Sequence, residues 1–154
     1  MSNASNYLEN ELLDHILGEG SRNYVPTTLF VALFADTGSG VATALESGTS
    51  STTGTANWGY YEITGGNYAR VAVDFNAASS GSASNTSAVT FNQANANYDT
   101  AGGAGNTVTH VAIMDAGGTS GGNVLFYGEL SVNKTVTTGD TFQINAGALT
   151  VSLA

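Results

Sequence analysis

The chain has 154 residues, of which 42% are hydrophobic and only 10% charged, with one Pro and no Cys. This length suits one domain with a core of its own, and the lack of cysteine excludes disulfide staples and thiolate metal sites. Three cations, Arg22, Arg70 and Lys134, stand against twelve carboxylates for a formal charge of −9, which excludes a nucleic-acid surface built on phosphate neutralisation and disfavours anionic membranes.

The first element is helical. In Tyr7-Leu-Glu-Asn-Glu-Leu-Leu-Asp-His-Ile-Leu17, residues Leu8, Leu12 and Ile16 recur at i+4, and Leu13 and Leu17 widen the stripe. That is the pattern of one apolar helix face over residues 6–17. Asn6 is the expected N-cap, with Glu9 three residues on, and Gly18 is the expected stop. Leu8, Leu12 and Ile16 are thereby candidate interface residues, to be covered by the chain's own sheet or by a partner. Glu9, Glu11 and Asp14 interrupt the stretch and no basic leader precedes it, so it does not read as a secretory signal. No apolar run approaches the ~20 residues of a spanning helix. After Pro26 the helical period is not expected to return.

Everything from 27 to 154 reads as strands and turns. Residues 27–36 form a continuous apolar run with Phe30, Val31 and Phe34, the signature of a central strand. A long connection at 37–66 is rich in Gly, Ser and Thr and ends in Trp58, Tyr60 and Tyr61. With so little apolar surface of its own, it is expected to be ordered by laying those aromatics on a neighbouring subunit or a glycan; the plainer reading is a flap on its own sheet. Ala69, Val71, Val73 and Phe75 alternate with Arg70, Ala72 and Asp74, as in a half-buried strand. A turn at 77–84 precedes a short strand with Val89 and Phe91. Residues 107–114 and 124–130 bracket a Gly-rich turn and form an expected hairpin. Phe142, Ile144, Leu149, Val151 and Leu153 continue the alternation. Seven or eight short strands of this kind predict a mainly β chain, a single β-sandwich or jelly-roll-like domain over 1–154 preceded by one amphipathic helix.

Taken in order, several segments resemble a family of small structural proteins of tailed bacteriophages, described as head-decoration or tail-fibre proteins. They are the helix Tyr7–Gly18, Thr28-Leu-Phe-Val-Ala-Leu-Phe34, Gly65-Gly-Asn-Tyr-Ala-Arg70, Val108-Thr-His-Val-Ala-Ile-Met-Asp115, Asn123-Val-Leu-Phe-Tyr-Gly128 and the closing stretch from Lys134 to Gly147. The resemblance implies a virion part, made in the cytoplasm of a bacterial host and held by contacts with capsid or tail subunits or with further copies of itself.

Chemistry is thinly represented. His15 and His110 have no partner at ligand spacing, and no cofactor is expected. Residues 118–122 fit the Gly-x-Ser-x-Gly pattern around Ser120, but a nucleophile elbow needs a helix after it and a strand follows here. Glu62, Asp74, Asp99, Asp115, Glu129 and Asp140 are scattered and read as solvated strand ends and turn formers. The chain's single Lys and single Pro leave sheet edges without their usual guards, which an assembly would cover. The expectation is a non-enzymatic virion protein, first of all a head decoration or cement. The alternatives are a tail or fibre adaptor, or a carbohydrate-binding module stacking a host glycan on Trp58, Tyr60 and Tyr61.

Overall fold

The computed structural model describes residues 3–17, 25–36, 38, 40–47, 49–119 and 121–152. The expected stop at Gly18, the cation Arg22, the serine Ser120 and the terminal Leu153 lie outside the described residues. The chain is mainly β. In order, the elements are β1 (Asn3–Ala4), α1 (Asn6–Leu17), β2 (Leu29–Ala35), α2 (Val41–Ser47), a 3-10 turn (Trp58–Tyr60), β3 (Val71–Val73), β4 (Ser82–Ser84), β5 (Val89–Thr90), β6 (Thr107–Met114), β7 (Val124–Thr135), β8 (Gln143–Ile144) and β9 (Thr150–Ser152).

Helix α1 has the predicted bounds but a different cap. The Leu8 amide donates to the hydroxyl of Ser5 at 3.3 Å, and the Glu9 amide to the Ser5 carbonyl at 3.0 Å. Ser5 therefore caps the helix one residue before Asn6. It also anchors it, because its amide donates to the Leu125 carbonyl and its hydroxyl to that of Val124.

Five strands form an antiparallel sheet in the order β1-β7-β6-β2-β3. The expected hairpin is the β6–β7 pair, with Ile113 opposite Phe126 and Ala112 opposite Tyr127. Both faces of β2 are covered, which is why its run is apolar without alternation. Val31, Leu33 and Ala35 point into one cluster with Val73, Phe91, Val108 and Phe142. Ala32 and Phe34 point into a second with Val41, Leu45, Trp58 and Met114. Over the first face lie two short antiparallel ladders, β4–β9 and β5–β8, so the body is sandwich-like with a fragmentary second layer. The turn expected at 77–84 thus ends in a strand, Ser82–Ser84, paired with residues 150–152.

The second face corrects two expectations. Helical structure does return after Pro26, as α2. Asp36 sets it up: its carboxylate accepts from the amides of Gly38, Gly40 and Val41 at 2.8, 3.0 and 3.2 Å. Val41, Ala44 and Leu45 fall on one side of that short helix, and all three are buried. The 40–61 segment therefore has an apolar face and orders itself on its own sheet. The outermost strands are two and three residues long, but β1 covers only Phe126 and Tyr127 of β7, so β7 from Gly128 to Thr135 keeps an outer side on which no described strand is paired.

Candidate functional site

The expected aromatic contact patch is turned inward. Trp58 is 2% exposed and meets Phe34 edge-on at 6.4 Å, while Tyr61 is also buried and donates its hydroxyl to the Thr55 carbonyl at 3.1 Å. Tyr60 is half-buried against Gly102, where any Cβ would run into its ring. For Trp58 and Tyr61 the arrangement is the flap, and neither ring is left as a platform on which a sugar could stack.

Behind the flap sits a charged network that pattern reading missed. Glu62 and Arg70 are shut off from solvent and joined by two parallel bonds, Nε to Oε1 at 2.7 Å and Nη2 to Oε2 at 2.8 Å. Arg70 Nη1 donates to the carbonyls of Ala116 and Gly121 at 2.7 and 2.8 Å. The backbone creates the need for Tyr68. Strand β2 is paired with β3 up to Val31 and with the 61–63 stretch from Leu33 onward. The Leu33 amide falls at the junction and donates to the Tyr68 hydroxyl at 3.0 Å, which donates on to Glu62 at 3.2 Å. Burial pushes the Glu62 carboxyl up, against the opposing pull of Arg70 and Tyr68. Burial also pushes the Tyr68 phenol well up, with the Glu62 charge adding to it. This network holds flap, β3 and the β6–β7 turn together, and its two charged side chains are closed to solvent. Glu62 is therefore not the solvated strand end that the sequence indicated.

Other candidates resolve into turns. Asp115 accepts from the amide and side chain of Asn123 at 2.6 and 2.8 Å, and Asp99 accepts from the amides of Thr100 and Gly105. The Thr137 amide and hydroxyl hold the Asp140 carboxyl below its usual range. Burial lowers the pKa of His110, whose Nδ1 lies 2.9 Å from the Thr109 hydroxyl. Among the described residues no His, Cys, Asp and Glu gather in a group that could hold a metal. No described helix is long and apolar enough to cross a membrane.

What remains is α1. The first turns touch the body through the half-buried side chains of Tyr7, Leu8 and Glu11. The rest of the apolar stripe points away: Leu12 is 41% exposed, Leu13 53%, Ile16 66% and Leu17 72%. Leu8 and Leu12 also form one wall of an apolar groove of about 580 Å3, whose floor and far wall include Leu29, Phe75, Ile113, Phe126 and Val151. A second cavity of about 300 Å3 shares Ile113, Phe126 and Val151 and runs on past Leu130 and Leu149. Of the six residues expected at an interface, the structure brings Leu8, Leu12 and Ile16 onto one surface and places Trp58, Tyr60 and Tyr61 on the opposite side of the sheet, in or against the second cluster. The groove itself was not legible, since its walls come from both ends of the chain.

The family model described as Podophage GP4 fiber I protein gp80 matches residues 3–152. No curated protein matches the chain.

Proposed function

Because the chain belongs to the family described as Podophage GP4 fiber I protein gp80, it is a structural component of a tailed-phage virion, and we propose that its place is the fibre apparatus, where it acts without catalysis by binding neighbouring virion proteins. The match over residues 3–152 carries this reading. It favours the fibre alternative over the head decoration first expected, since the family's description names a fibre and no head protein. Physical support comes from α1. Four large apolar side chains held 41–72% exposed on one helix are costly to leave in water and are common where another protein covers them.

The test is location. Purified particles are labelled with a monoclonal antibody against this chain and imaged, and isolated heads and tail-fibre fractions are compared by quantitative mass spectrometry. Label at the fibres and enrichment in that fraction are expected. Label spread over the head shell would restore the decoration reading instead.

A further inference from the structure

Helix α1 carries charge as well as leucine, and its placement selects what can cover the stripe. Resting on the fibre reading above, we propose that the outer face of α1 and the adjoining groove are the docking site for a different virion protein, one that presents an apolar patch rimmed by Lys or Arg, and not for a second copy of this chain.

The argument starts from the helical projection. At about 100° per residue, Glu9 falls about 20° from Ile16 and about 40° from Leu13, inside the apolar arc rather than beside it. Glu9 is exposed and also lines the groove. Any protein that covers Leu12, Leu13 and Ile16 therefore covers Glu9 and takes its carboxylate out of water. A buried carboxylate without a cation is strongly penalised. Asp14 and Glu11 on the flank of the stripe add two further negative charges, against which the helix carries one basic side chain, His15 in its last turn, and no Lys or Arg.

Among the described residues the chain has little to offer in return. Arg70 is committed to Glu62 behind the flap. Lys134 stands opposite Val108, seven residues along β7 from the Tyr127 that pairs with β1, roughly 24 Å away at strand spacing. Arg22 lies outside the described residues. In a two-fold pairing each residue near the axis meets its own copy, so two α1 helices packed with the axis near Glu9 would set Glu9 against Glu9, and a seam shifted along the helix would offer it only His15 as a basic group. A partner with Lys or Arg around an apolar centre satisfies Glu9, gains from the −9 net charge during encounter, and is discriminated from an acidic surface by the same groups.

The experiment places a photoreactive amino acid at Ile16, and separately at Leu13, in chains assembled into phage particles, and sequences the crosslinked peptides from purified virions. A peptide of another virion protein, with Lys or Arg within about four residues of the crosslink, is expected. Glu9→Lys should lower its yield about tenfold, a change equal to one decade of affinity. A crosslink to this same chain, a partner peptide without cations, or no crosslink from either position overturns the proposal while leaving the fibre location intact. If the chain is absent from particles, the fibre reading fails instead, and the surface is read on purified protein with a leucine-faced helical peptide rimmed by lysine and its glutamate-rimmed counterpart. A preference of about tenfold for the lysine version, abolished by Ile16→Asp, supports the proposed chemistry. Equal binding of the two peptides overturns it.

Discussion

Arg70 stands over the ring of Trp58 with its guanidinium carbon 5.3 Å from the ring centroid. One side chain thus touches the flap through an aromatic face, the 61–63 stretch through Glu62 and the β6–β7 turn through two carbonyls. Removing it by Arg70→Met leaves the Glu62 carboxylate buried and uncompensated, at an expected cost of about 3–5 kcal/mol. The double variant Glu62→Gln with Arg70→Met should cost less than the sum of the two single changes. Urea denaturation measures all three, and simple additivity would show that the pair is not coupled.

Trp58→Ala should destabilise the isolated chain by about 3–5 kcal/mol, the range for emptying a large core site. An unchanged melting curve would mean that the flap does not belong to the core in solution.

The α1 stripe should behave in the opposite way. Ile16→Asp changes a side chain that is 66% exposed, so the stability of the free chain should move by no more than about 0.5 kcal/mol. Incorporation into particles should fall sharply. Normal incorporation of a normally folded variant would remove α1 from the attachment surface.

Acid should weaken the fold through His110. Burial lowers its pKa from the ordinary 6.5, with Glu129 and Asp36 pulling the other way. As pH falls through 6.5 the unfolded chain takes up this proton before the folded one does. The contribution is therefore complete above that pH and is lost below it, down to the folded pKa. Denaturation midpoints at pH 7.5 and 5.5 should differ less in His110→Gln than in the parent.

At the alkaline end Tyr127 should contribute alongside Tyr68. Burial and the carboxylate of Glu46, which accepts from the Tyr127 hydroxyl, push that phenol up to about 12. The unfolded chain ionises first, near 10, so stability is complete below that value and declines from there towards pH 12. Tyr127→Phe should flatten the decline, seen as a smaller change in melting temperature between pH 9 and pH 11.

Helix α1 and strand β2 were readable because each declares itself by a local period: the i+4 leucines in one case, an unbroken apolar run in the other. The β6–β7 hairpin was readable from its turn chemistry. Helix α2 carried a signal too, Val41, Ala44 and Leu45 at helical spacing with Asp36 ahead of them, but seven residues set in Gly, Ser and Thr fall below the length at which a period stands out. Glu62 and Arg70 could not be read. Pairing of buried charges depends on which strands become neighbours, and nothing local marks a carboxylate as inward-facing when it sits between two apolar residues, Tyr61 and Ile63. The inward turn of Trp58 follows from α2, so missing the helix meant missing the reason the aromatics are buried. For the candidate surface, the stripe was legible and the groove was not, because Leu12 and Val151 meet only after the sheet has closed.

That closure has a kinetic consequence. Asn3 pairs with Tyr127, and Ser82 with Ser152, so contacts far apart in sequence hold both the sheet edge that supports α1 and the wall that faces it. Such topologies fold slowly, on the order of milliseconds to seconds, and during synthesis residues 3 and 4 must wait for residue 127 to be made. Through that interval α1 is a free amphipathic segment whose leucines are available to chaperones or to other nascent chains. Refolding followed by Trp58 fluorescence and by crosslinking at Ile16 should separate the two events, with the flap docked before the α1 side of the sheet is complete; simultaneous appearance would mean that the whole fold closes in one step.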